Sequence, residues 1–181
     1  LNKGEVVSAT PVLFGANPAE VKDGPQKGLR TLPETEDAAK ALIASLTPEQ
    51  QKVARQPKQL PEINEGFAEA GVGPPVGLPA GKLTQDQRLK LKALVEAYAN
   101  RLPADLAAAE LKRVDDAGAD NVYFGYALEE DKPGKPYTYR VHGPTFVAEF
   151  LNVQADAAKN PANHIHSGWR RLPADFAVNK N

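Results

Sequence analysis

Hydrophobic spacing divides the chain into a helical first part and a strand-rich second part. Between residues 34 and 114 apolar positions recur every three or four residues, whereas from residue 121 onward they alternate with polar ones. The first spacing is typical of amphipathic helices and the second of half-buried strands. The pattern therefore predicts an α+β fold, in which a layer of about four helices packs on a small antiparallel meander.

Helix-start signals place the predicted helices. Thr47-Pro48 followed by Gln50, and Thr84 followed by Gln87, each combine a capping hydroxyl with a Gln three residues later. Together with the apolar spacing, these signals predict helices over residues 34–46, 47–56, 84–102 and 103–114.

Alternation and turn residues define the expected strands. The pattern predicts strands over residues 121–128, 137–142 and 145–153, a turn over 131–136, and a last extended piece over 164–169. A further short strand is expected over residues 5–14, at a sheet edge because Pro11 cannot donate to a ladder. The 16 Pro and 14 Gly cluster in residues 15–33 and 57–83, which predicts two long loops.

Composition narrows the class of protein. The 181 residues are interpreted as a single domain, with a mainly helical part over 1–118 and a sheet part over 119–181. A formal net charge of -1 argues against nucleic acid as a partner, and the lack of a long apolar run argues against membrane insertion. The chain has no Cys, no phosphate-binding loop and no nucleophile elbow, so thiol, nucleotide and serine-hydrolase chemistry lose support.

Histidines provide the main chemical signal. The three in the chain, His142, His164 and His166, all lie in its last 40 residues. Side chains two apart on a strand share a face, so His164 and His166 can converge on one metal ion. His142 ends a neighbouring strand of the predicted meander, and we expect it to lie near this pair.

Glu149 completes the candidate metal site. It is the one charged residue in the predicted strand over 145–153, and a buried carboxylate needs a partner or an ion. Three imidazoles and a carboxylate suit a divalent ion, Zn, Fe, Mn or Cu, with Glu149 as the fourth ligand or a general base. We predict His142, His164, His166 and Glu149 as metal ligands, with Glu149 and Arg170 as catalytic candidates.

Two alternatives stay open at this point. Arg170 lies near Asp175, so it either forms a structural salt bridge or binds an anionic ligand. The histidines are either ligands or hydrogen-bonded sheet residues of a non-catalytic binding or structural module of an envelope or extracellular assembly. An open pocket at the histidines favours a metalloenzyme or other small-molecule site, and closed packing there favours the module.

Several motifs together resemble a bacterial family of unknown function. They are Phe14-Gly15-Ala16-Asn17-Pro18-Ala19, His142-Gly143-Pro144, Asn163-His164-Ile165-His166, Trp169-Arg170 and Asp175-Phe176. With them, the chain resembles the C-terminal half of members of the family catalogued as domain of unknown function 3500 (DUF3500).

The resemblance implies an exported protein, periplasmic or extracellular, whose missing N-terminal half is a partner of this part. Carried over by position, it implies a shared site of His142, Glu149, Asn163, His164, His166 and Arg170. The family has no established activity, so the resemblance names no reaction.

Overall fold

Six strands form one antiparallel sheet in the computed structural model, which describes residues 3–4, 6–129 and 134–176. The strands are β1 (Val12–Ala16), β2 (Leu78–Pro79), β3 (Tyr123–Leu128), β4 (Tyr137–His142), β5 (Phe146–Gln154) and β6 (His164–Arg171). Their order is β1-β6-β5-β4-β3-β2, so β3 to β6 form the predicted meander and β1 and β2 extend its two edges. The interpretation as one domain stays a prediction.

Four α-helices precede the meander among the described residues: α1 (Pro33–Ser45), α2 (Pro48–Ala54), α3 (Gln85–Ala99) and α4 (Ala104–Asp116). Both predicted capping boxes form, since Thr47 and Thr84 each accept from the backbone of the Gln three residues later. The helix α3 ends three residues before the predicted residue 102, because a residue that precedes proline, here Pro103, disfavours the helical conformation. None of the described helices is both long and apolar enough to cross a membrane.

The N-terminal strand lies further along the chain than predicted. It begins at Val12 and not at residue 5, because Pro11 has no N–H for a ladder. It is the predicted edge strand, and it pairs with β6. Predictions for Leu1, Asn2, Glu5 and residues 130–133, which include half of the predicted turn, fall outside the described residues.

One side of the sheet, called here the helix-facing side, is packed by α1 and α3. Aromatic residues dominate it: Tyr139 stacks on Phe150 with centroids 5.1 Å apart, and Trp169 stacks on Phe146 at 4.4 Å. Tyr98 of α3 donates its hydroxyl to Tyr139 at 3.0 Å, which satisfies a buried polar group between the layers. This side contains the main hydrophobic core.

The opposite side of the sheet, called the loop-facing side, is covered by residues 57–77, the covering loop. This loop is rich in Pro and Gly and has no helix or strand of its own. It reaches the sheet at Leu60, whose N–H donates to Thr138 Oγ1 at 2.9 Å, and at Val72, whose carbonyl accepts from Arg140 at 3.2 Å. It ends at Gly77, where φ is +99° and a Cβ would overlap the backbone of Phe124.

Candidate metal centre

His164 and His166 lie on the loop-facing side of β6, as the alternation predicts. His166 is paired with Gly15 of β1 and Leu151 of β5, and His164 with Gln154 beyond a register shift in β5. At this irregularity the side chain of Asn152 accepts the His164 backbone N–H at 3.1 Å, which replaces a ladder hydrogen bond. The two histidines are therefore held at a fixed point of the sheet.

The two imidazoles turn the same nitrogen towards each other. Nε2 of His164 lies 3.2 Å from Nε2 of His166, and the rings are nearly perpendicular, with centroids 4.7 Å apart. Two nitrogens bound to one tetrahedral Zn at ordinary distances stand about 3.3 Å apart. The observed separation thus matches that of two ligands of one ion.

Glu62 of the covering loop holds the far side of His166. Its Oε1 lies 2.8 Å from His166 Nδ1, and its Oε2 accepts from Gln154 Nε2 at 3.5 Å. A carboxylate oxygen accepts, so Nδ1 of His166 is the donor in this contact and Nε2 is the nitrogen left to bind an ion. A carboxylate in this place is the usual orienting partner of a metal-binding histidine.

His142 does not join this pair. His142 on β4 lies opposite Val147 of β5, and Val147 in turn lies opposite Arg170 of β6. His166 lies opposite Leu151 of β5 instead. His142 is thus two strands away and four residues further along the sheet, an offset of about 13 Å along the strands alone. It is 5% exposed, its Nδ1 has no hydrogen-bond partner, and burial together with the charge of Arg140 lowers its pKa.

Glu149 finds its partner in an arginine. Arg140 lies directly opposite on β4 and donates from Nε at 3.0 Å and from Nη2 at 2.7 Å to Glu149 Oε1. Burial raises the pKa of Glu149, and the opposing attraction of Arg140 is smaller. The expected need for a partner is met here without an ion.

Arg170 forms the salt bridge that was one of its two predicted roles. Its Nε donates to Asp175 at 2.6 Å, and its other nitrogens donate to the carbonyls of Asn64 and Phe67 in the covering loop. The side chains of Arg170 and Asp175 are almost fully buried. Arg170 thus fastens the loop to the sheet.

Asn163 turns away from the histidine pair. Its Oδ1 accepts from the Glu20 backbone N–H and its Nδ2 donates to the Glu20 carbonyl, each at 2.9 Å. The same Nδ2 donates to Asp156 Oδ2 at 2.7 Å. Asn163 therefore ties the segment after β1 to the start of β6. Of the six residues of the expected shared site, only His164 and His166 meet.

Glu62 is the site residue that sequence patterns did not single out. It lies 104 residues before His166 in a loop without periodicity, and only the folding of that loop brings it close. Over the described ranges 3–4, 6–129 and 134–176, no group of three or more His, Asp or Glu side chains is arranged to hold a metal ion jointly. The centre consists of two histidines with a supporting carboxylate.

Fold and site together define an α+β protein with a six-stranded antiparallel sheet and a carboxylate-supported histidine pair at its edge region. The chain belongs to the family described as Protein of unknown function (DUF3500), whose model matches residues 1–178. The family resemblance is thereby confirmed, but a match of this length gives no support to the narrower prediction of a C-terminal half. No curated protein and no solved structure gives a significant match.

Proposed function

We propose that the protein binds a divalent metal ion, Zn, Fe, Mn or Cu, through Nε2 of His164 and Nε2 of His166. The observation that carries this proposal is the 3.2 Å separation of the two nitrogens. In the metal-free protein one nitrogen donates its proton to the other, and an ion takes the place of that proton. The proposed ligand set is smaller than the four residues predicted from the sequence.

Glu62 supports the same proposal from outside the ligand set. By accepting from Nδ1 it orients the His166 ring and leaves Nε2 as the ligating nitrogen. Because Glu62 belongs to the covering loop, metal binding and docking of this loop strengthen each other.

Two protein ligands leave further coordination positions to water or to a substrate. The His166 side chain is 27% exposed, so these positions are within reach of solvent. Open positions are characteristic of reactive metal centres rather than of structural ones, and this supports the metalloenzyme interpretation. In the metalloenzyme interpretation, the ion would supply an activated water, and the chemistry would take place beside it. Glu149 and Arg170 are engaged in salt bridges beneath the covering loop. An exported bacterial setting is part of the proposal through the family resemblance.

Metal binding is tested with the chelator-treated full chain titrated with Zn²⁺ and with Co²⁺, whose absorption spectrum reports the ligand geometry. We expect one equivalent to bind, and binding to be lost in His164→Ala and in His166→Ala. His142→Asn is the matched control, because it removes the third histidine without touching the pair. Binding that is unchanged in the two Ala variants would refute the proposal; loss in His142→Asn alone would do so too.

The role of Glu62 needs a separate variant. Glu62→Gln keeps the side-chain shape but removes the carboxylate charge, and we expect metal affinity to fall about 10- to 100-fold. Glu65→Gln, in the same loop, is the control and should bind as the original chain does. Equal affinity in both variants would show that Glu62 does not tune the site.

The second candidate is a non-catalytic binding or structural module. It is favoured by the closed packing of His142, Glu149 and Arg170, which are each at most 5% exposed. In this function the histidine pair is a hydrogen-bonded feature of the sheet, and the titration above gives no saturable binding of either ion.

A further inference from the structure

A polar cavity lies on the helix-facing side of the sheet, away from the histidine pair. Its volume is about 330 Å³, and its walls come from the segment after β1, from α1, and from the ends of β4 and β5. This is the size range of small-molecule sites in proteins. Tyr137 and Asn152, which lie directly opposite each other on β4 and β5, both line it.

The charges around the cavity favour an anion. Four cationic side chains line it, those of Lys22, Arg30, Lys40 and Lys135, against two carboxylates, those of Glu20 and Glu36. Lys22 donates one hydrogen bond to Glu20 at 2.8 Å, and Lys40 one to Glu36 at 2.7 Å. Each ammonium group has three donors, so both keep capacity for a further acceptor.

Two further side-chain donors line the wall, one from Tyr137 and one from Asn152. The Tyr137 hydroxyl is buried and has no close hydrogen-bond partner, and burial together with the charge of the nearby Glu36 raises its pKa, so that it stays protonated and able to donate. Asn152 accepts with Oδ1 from His164, while its Nδ2 donor has no described partner. A buried hydroxyl such as that of Tyr137 is nearly always satisfied in folded proteins, so an acceptor-rich occupant fits this wall.

We infer that this cavity binds a small molecule bearing an oxyanion, a carboxylate or a phosphate. Lys22 and Lys40 supply charge and hydrogen bonds, and the Nδ2 of Asn152 and the hydroxyl of Tyr137 donate to the anionic oxygens after a small adjustment of the wall. Arg30 also lines the cavity but is held by Glu36 and Asp37. The cavity lies on the other side of the sheet from the metal centre, and Asn152 connects the two, because its Oδ1 accepts from the His164 backbone N–H.

Binding is tested by titrating the full chain with inorganic phosphate and with succinate, followed by amide chemical shifts in NMR spectra. Saturable shifts confined to the cavity walls are expected for at least one anion, and the stronger of the two identifies the headgroup. Glycerol, which has no charge, should give none. The result that overturns the inference is the absence of saturable shifts with both anions, or equal shifts with glycerol.

Two variants separate a ligand site from a water-filled gap. We expect Lys40→Met and Tyr137→Phe each to weaken anion binding at least tenfold, while Tyr137→Phe unfolds at the same temperature as the original chain or a higher one. Lys90→Met, on the surface of α3, and Tyr123→Phe, on β3, are the matched controls and should bind normally. Unchanged affinity in both cavity variants would overturn the inference.

A variant of the other site makes the two proposals distinguishable. His164→Ala should lose the metal ion but keep anion binding, because its side chain lies on the loop-facing side. Loss of both metal binding and anion binding in this variant would contradict a separate anion site.

Discussion

The two sides of the sheet are held by different kinds of interaction. On the helix-facing side, α1 and α3 pack against stacked aromatic rings, with Tyr139 on Phe150 and Trp169 on Phe146. On the loop-facing side, the covering loop is fastened by arginines: Arg140 bonds the carbonyl of Val72, and Arg170 those of Asn64 and Phe67.

The difference follows from what each cover presents to the sheet. A helix satisfies its own backbone and presents an apolar stripe, so burial of apolar area suffices to dock it. A Pro- and Gly-rich loop has few hydrogen bonds of its own, and its buried carbonyls need donors from elsewhere. A guanidinium carries five donors in a fixed fork and meets this need. Glu149 neutralises the charge of Arg140, and Asp175 that of Arg170.

The largest effect is expected from removing the deepest of these arginines. Arg170→Met leaves the fully buried Asp175 without its charged partner, with only the Arg171 backbone N–H still donating to it, and leaves two loop carbonyls without donors. This should lower the free energy of unfolding by about 3 to 5 kcal/mol. Urea denaturation measures this change. Arg88→Met, which removes an exposed pair with Asp120, is the control and should cost about 0.5 kcal/mol or less. A loss for Arg170→Met no larger than the control's would remove the distinction between the two sides.

A double variant tests whether the pair on β4 and β5 contributes through its charges. Arg140→Met alone isolates the buried Glu149 and should cost about 3 kcal/mol. Adding Glu149→Met should restore much of this loss, because two apolar side chains then replace a desolvated pair. Urea denaturation of the three proteins at one pH provides the comparison. If the second substitution adds a further loss, the pair is not independent of its surroundings.

On the helix-facing side we expect a smaller loss of unfolding free energy, and one that comes from apolar packing. Ile165→Val removes one buried methylene and should cost about 1 kcal/mol, with little dependence on salt or on pH between 5 and 7. The same denaturation series at two salt concentrations checks it. A strong salt dependence in this variant would show that the two sides are not energetically separate.

The smallest expected effect concerns pH. Because burial and the charge of Arg140 lower the pKa of His142 in the folded protein from its usual value near 6.5, the unfolded chain gains a proton at this residue at a higher pH than the folded protein does. His142 should therefore contribute a loss of stability between pH 7 and pH 5, and none above pH 7. His142→Asn should flatten the stability profile over this range, measured by denaturation at several pH values. A slope as steep as that of the original chain would assign the pH dependence to other groups.

Local patterns predicted most of the regular structure. The capping boxes at Thr47 and Thr84 place two helix starts, and the strand alternation places His164 and His166 on one face, because both signals depend on residues a few positions apart. The need of Glu149 for a partner was also evident from its apolar strand. Its partner, Arg140, follows from the hairpin register, which the sequence left open.

The sequence by itself determined the α+β class, the meander and the shared face of the histidine pair, since propensity and periodicity act within single elements. Only the tertiary structure decided that His142 lies apart from the pair, that Glu62 reaches His166, and that Tyr137 and Asn152 share a cavity wall. An irregular loop has no periodic signal, and its path is set by the carbonyls it presents and the distant arginines that bind them.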